Sequence, residues 1–163
     1  MHEINLRTEM ADFLDKRGHW VAIRQAVPGA KCSCMDSALG EPGRACDDCL
    51  GTGRAYVDRL IKIRKSKTLQ INQAIGSERS SPIGNVNAFD VLMYTSYTVK
   101  PTQQDFILEI ALDSKTREPN IPIKIVQVYN VIDIQDNRDQ GGRVEYYSIT
   151  SQRVVWPEFN VNG

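Results

Sequence analysis

The stretch Ile121-Pro-Ile-Lys-Ile-Val-Gln-Val-Tyr-Asn-Val-Ile-Asp-Ile134 carries the clearest strand signal in the chain, and the rest of the fold is read outward from it. Ile121, Ile123 and Ile125 face one way, and Val128, Ile132 and Ile134 continue the pattern on even positions. Apolar residues at every second place mark a strand with one face in a core. The change of frame near Ile125–Val126 predicts a bulge or sharp bend. Downstream, Asn137 to Gly142 ends in Gly-Gly and returns the chain into Arg143 to Thr150, where Val144 and Tyr146 alternate with Glu145 and Tyr147. Upstream, Phe89 to Val99 is dense in Val, Tyr and Thr, Lys100 to Gln104 reads as a turn, and Asp105 to Leu112 as a strand, so the pair is expected to form a hairpin.

Nearer the N-terminus, Trp20 to Val27 before Pro28-Gly29 and the run Ala55 to Arg64 also read as strands, while Gly76 to Asn87 is a long polar loop. Glu3 to Arg17 is the one convincing helix: Leu6, Met10, Phe13 and Leu14 share a face, and Gly18 stops it. Seven or so strands beside one helix predict a mainly β protein, a barrel or a sandwich. The expected organisation is residues 1–30 as helix and first strand, 31–53 as an insert, 54–156 as the β domain and 157–163 as a tail.

The insert differs in composition from everything around it. Cys32-Ser-Cys34, eleven residues, then Cys46-Asp-Asp-Cys49 hold all four cysteines of the chain. Two residues between Cys46 and Cys49 let a tight turn aim both sulfurs at one ion, and Cys32 with Cys34 can complete a four-thiolate shell. Zinc is the natural occupant; disulfides, buried free thiols and an iron–sulfur cluster are the alternatives. Gly51 and Gly53 follow where the chain must bend sharply round a metal. Ordering a polar loop costs roughly 1–2 kcal/mol per residue, and metal binding worth about 10–16 kcal/mol offsets much of it. Four thiolates fill a tetrahedral shell, so the expected role is structural and not catalytic.

The chain has 163 residues with 20 basic and 20 acidic groups, which suits one domain with an appendage and excludes a uniformly basic nucleic-acid binder. Neutrality hides a segment, residues 54–79, with seven basic and two acidic groups. Its stripe Arg54, Arg59, Lys62, Arg64, Lys65 and Lys67 is the candidate surface for DNA or an acidic protein partner, although Lys62 and Arg64 opposite Ile61 and Ile63 also fit a strand with one wet face. No apolar run approaches the ~20 residues of a spanning helix, and no membrane contact is expected. His2 and His19 read as surface residues, and Asp133, Asp136 and Asp139 as a solvated hairpin turn. With no triad and no phosphate loop, the chain does not read as an enzyme.

Cys46-Asp-Asp-Cys49-Leu-Gly51-Thr-Gly53 resembles one C-x-x-C-x-G-x-G unit of the zinc domain of DnaJ-type co-chaperones, which implies metal binding for the cysteines and bending for the glycines. The whole-chain order of helix, insert and β domain, with the late hairpin Asp133 to Arg138 and Gly142 to Tyr147, is similar to head-closure or stopper proteins of tailed-bacteriophage necks. That resemblance implies a β-barrel subunit of a head–tail connector ring in the virion neck, made in the bacterial host cytoplasm. Its implied partners are copies of itself, portal or adaptor proteins, tail proteins and, transiently, DNA in the channel. The alternative expectation is a zinc-ribbon nucleic-acid-binding or regulatory protein using the basic stripe.

Overall fold

The computed structural model describes residues 5–35, 40–43, 46–66 and 90–154. Helix α1 (Leu6–Arg17) precedes β1 (His19–Lys31), β2 (Arg54–Ser66), β3 (Asp90–Ser96), β4 (Phe106–Ile110), β5 (Ile125–Arg138) and β6 (Val144–Val154). The six strands close into an antiparallel barrel in the order β1-β2-β3-β6-β5-β4. The expected mainly β class therefore holds, and of its two forms the barrel is the one adopted. The loop Gly76 to Asn87, Lys67, His2 and the tail 157–163 lie outside the described residues.

Period-two alternation fills the lumen. Val21, Ile23, Ile61, Ile63, Met93, Ile107, Tyr129, Val131 and Ile149 point inward and form one buried cluster with Val99. A second, outer cluster of Ala22, Leu108, Ile110 and Val128 sits on the opposite face of β1, β4 and β5, where Trp20 and Phe106 also pack. Two of the inward positions at one end are polar, because Lys65 and Glu109 follow the same alternation as Ile63 and Ile107. Lys65 Nζ donates to Glu109 Oε1 at 2.6 Å and to Tyr129 Oη at 2.9 Å.

Four local expectations are corrected. The hairpin over Phe89 to Leu112 does not form: β3 pairs with β2 and β6, and β4 with β1 and β5. The connection crosses one mouth of the barrel, with Val99 sunk in the lumen. Buried Asp105 fixes it by accepting the Ala26 and Thr102 N–H groups at 3.0 and 2.7 Å. Second, β1 continues past Pro28-Gly29, which form an irregularity between Ala26 and Lys31 with Gly29 at φ 73°. Third, Ile121 and Ile123 stand before β5 and are 94% and 50% exposed. The bulge expected near Val126 is present, since Glu109 pairs with Gln127 and Ile110 with Ile125; a second, unexpected one at Ile132 turns Ile134 onto the lumen cluster while Val128 lies in the outer one, so the even positions Val128, Ile132 and Ile134 do not share a face. Fourth, His19 is the first residue of β1, half-buried, and not a surface residue.

Helix α1 lies across β2, β3 and β6. Of its expected apolar face only Leu14 is buried, whereas Leu6 and Phe13 are exposed. Polar contacts hold it instead: Lys62 Nζ donates to Asp15 Oδ1 at 2.6 Å, Arg64 to the Arg17 carbonyl at 3.0 Å, and Arg7 to the Val144 carbonyl at 2.7 Å while its guanidinium stacks over Tyr97.

Candidate metal centre

The insert leaves β1 at Cys32 and rejoins β2 at Arg54, and a Cys32 N–H bond to the Gly53 carbonyl at 2.9 Å closes its neck. Within it the chain from Cys46 to Gly53 winds into a knuckle. Leu50 N–H donates to the Cys46 carbonyl at 2.8 Å and Thr52 N–H to the Cys49 carbonyl at 3.0 Å. Gly53 N–H then points at Cys49 Sγ, 3.4 Å away. Leu50, Gly51 and Gly53 all take left-handed backbone angles, with φ of 52°, 76° and 73°. At Gly53 a side chain is excluded twice over, because a Cβ would stand 2.5 Å from Met35 Sδ and 3.1 Å from Pro42.

This winding brings Cys32, Cys34, Cys46 and Cys49 together, with all four Sγ atoms within 4.8 Å of one another. Cys32 and Cys46 Sγ are 3.7 Å apart, and Cys34 and Cys49 Sγ 3.4 Å. Metal–sulfur bonds of about 2.3 Å in a tetrahedron place the sulfurs about 3.8 Å apart, so donor type and spacing both fit one tetrahedral thiolate-bound ion. Cys49 is fully buried and Cys32 nearly so. The thiols do not share protons evenly. The Cys49 N–H brings Cys46 down to about 7, aided by the neighbouring thiols, while loss of solvent first, and bonding to Cys46 and Cys49 next, push Cys34 up to about 12. Four thiolates in so small a volume require a cation, and its binding must expel the remaining protons.

Two residues outside the cysteine pattern seat the insert on the barrel. Leu50 enters the outer cluster beside Ala22, Leu108, Ile110 and Val128. Arg24, 9% exposed on β1, donates Nε and Nη2 to the Asp58 carboxylate, each at 2.8 Å, and Nη1 to the Asp47 carbonyl at 2.6 Å. An arginine directly after Val21-Ala-Ile23 was the available sequence signal for that clamp. Asp58 and burial-opposing charge from Asp47 and Asp48 keep the guanidinium firmly protonated, with hydrogen bonding to Asp58 the leading cause.

Among the described residues the side chains of the basic stripe divide between several contacts. Arg59 reaches the Val99 carbonyl at 3.3 Å, Lys62 and Arg64 hold α1, and Lys65 points into the lumen. Arg54 is exposed at the start of β2. Alternation accounts for Lys65, which shares the inward face with Ile61 and Ile63 and pairs with Glu109. In the β5–β6 turn, Asp136 pairs with Arg138 at 2.7 Å and Asp139 accepts the Arg143 N–H at 2.8 Å, which leaves the expected solvated turn. No protein-family model matches the chain, and no curated protein matches it. Among the described residues no helix is long and apolar enough to cross a membrane.

Proposed function

We propose that this chain is a non-enzymatic structural subunit of a tailed-bacteriophage neck, a head-closure type of head–tail connector ring, and that its cysteine cluster holds a structural zinc ion. The observation that carries the non-enzymatic part is saturation. Four convergent thiolates would occupy every position of a tetrahedral ion, and the barrel lumen is packed with mainly apolar side chains, its Lys65 and Glu109 paired with each other. Neither offers a reacting group an open site. The ring part draws on the order of helix, insert and barrel and on the late hairpin quoted above, together with large apolar side chains left exposed on the barrel's outside.

The alternative, a nucleic-acid-binding or regulatory role, depends on the basic stripe, and the engagement of Lys62, Arg64 and Lys65 within the chain weighs against it. Mass spectrometry of purified virions separates the two. A neck subunit is present at ring stoichiometry; a regulator is absent and binds DNA with a steep salt dependence. Elemental analysis of reduced protein is expected to give about one zinc per chain. Absence from virions overturns the neck reading, and absence of zinc overturns the choice of metal.

A further inference from the structure

Two apolar features stand on opposite sides of the barrel. The first is a knob. Residues 111–124, which join β4 to β5, are braced internally: Ala111 N–H donates to the Lys124 carbonyl at 2.8 Å, Asp113 N–H to the Glu118 carbonyl at 2.9 Å and Asn120 N–H to the Ala111 carbonyl at 3.1 Å. Asp113 Oδ1 accepts the Lys115 and Thr116 N–H groups, both at 2.8 Å. This brace carries Ile121-Pro122-Ile123 outward, with Ile121 94% exposed. The second is a cleft of about 1080 Å³ between α1 and the barrel, where Met10, Phe13, Val91, Tyr94 and Tyr146 form an apolar and aromatic part beside a polar edge of β2, residues 64–66. Tyr94 and Tyr146 meet edge to face there, 6.3 Å apart.

The strand order fixes the relation between them. In the ring β1-β2-β3-β6-β5-β4, β3 lies across from β4 and β2 across from β5. The knob rises between β4 and β5, and the cleft opens over β2, β3 and β6. We infer that the Ile121–Ile123 knob of one copy docks in the Phe13–Tyr94–Tyr146 cleft of the next. A β-branched side chain held almost wholly in water at the tip of a rigid loop is costly unless something covers it. The cleft has an apolar and aromatic part and is larger than the roughly 300–1,000 Å³ that hold drug-sized ligands, so it has room for the tip's side chains. Unlike patches on opposite faces make a head-to-tail contact, which closes into a ring when the rotation per copy permits. The inference rests on the ring reading only in taking a second copy as the occupant.

The test is complementation between two full-length, metal-loaded variants, Ile121→Asp and Phe13→Asp, with Met10→Asp as a second cleft variant and circular dichroism to verify folding. Sedimentation velocity up to about 1 mM is expected to show concentration-dependent association of the wild type, weakened at least about tenfold in each variant. Mixing Ile121→Asp, whose cleft is intact, with Phe13→Asp, whose knob is intact, is expected to yield a capped one-to-one complex that neither forms alone. Wild type that stays monomeric to about 1 mM overturns the inference. Variants that associate as well as the wild type also overturn it, while leaving the ring reading standing. Conversely, successful complementation by a protein absent from virions keeps the contact and removes the neck.

Discussion

At the residue scale the cysteine knuckle does more than supply sulfur. Leu50 lies between the fully buried Cys49 and Gly51, holds a left-handed φ of 52°, and buries its side chain against the barrel. Backbone strain, a clustered thiol and packing thus meet in adjacent residues. Cys49→Ser is expected to abolish stoichiometric zinc binding, measured by elemental analysis of protein dialysed against excess metal; retained zinc would remove Cys49 from the ligand set. Leu50→Ala is expected to keep the metal yet cost about 2–3 kcal/mol in denaturant unfolding, the lower part of the range for a buried leucine because the insert can settle into the gap. Burial, first, and the Lys65 and Arg64 charges lower the pKa of His19, although Glu109 opposes them. A base with a depressed folded pKa adds stability that is complete above its unfolded value near 6.5 and shrinks as pH falls below it. The stability gap between wild type and His19→Gln should therefore narrow on acidification below about pH 6.5, measured as a difference so that metal loss cancels. A gap that does not change with pH would mean His19 titrates as it does in the unfolded chain.

At the element scale the strands were legible and their partners were not. The two-residue period placed β5, its bulge at Val126 and the return through β6, because alternation is a local property that each strand states for itself. The neighbours of β3 and β4 are decided by Val99 and Asp105, whose contacts reach β1 and β5 and have no local signature. Aliphatic density likewise cannot say whether Ile121 lies in a core or on a knob. The cysteine cluster was the most legible feature, since all four cysteines fall within eighteen residues, whereas its seating through Arg24 and Leu50 depends on the tertiary fold. Helix α1 shows the reverse case, a face predicted as apolar of which only Leu14 is buried. Twelve residues form a marginal helix in isolation, and here its C-terminal end depends on Lys62 and Arg64. Lys62→Glu with Arg64→Glu is accordingly expected to leave the barrel folded while α1 amides lose protection in hydrogen exchange by about tenfold. Unchanged α1 protection would show that Leu14 and Arg7 suffice to hold the helix, and would return Lys62 and Arg64 to the candidate interface.

At the scale of the whole molecule the two clusters divide the labour of stability. The lumen cluster is built wholly from strands and from Val99, and owes nothing to the insert. The outer cluster includes Leu50, and the Arg24 clamp on Asp47 ties the same insert to β1. Metal removal should then have a graded effect. Without the ion, residues 46–53 lose the bond network that turns Cys46 and Cys49 inward, since ordering them costs roughly 1–2 kcal/mol each and only Leu50 among them joins the barrel's apolar cluster in return. The barrel keeps its lumen but loses one outer packing residue and one backbone anchor, together about 2–4 kcal/mol. For a chain of this size that corresponds to a fall in Tm of roughly 5–15 °C. The expected result is a chelated protein with native strand circular dichroism at 25 °C, a lowered Tm, and hydrogen-exchange protection lost in 46–53 but kept in β3, β5 and β6. An unchanged Tm would mean that the knuckle is set by Leu50 and Arg24 alone. Complete unfolding on chelation would mean that the barrel and the insert form one cooperative unit, and that the apparent independence of the lumen is a property of the folded geometry and not of the folding equilibrium.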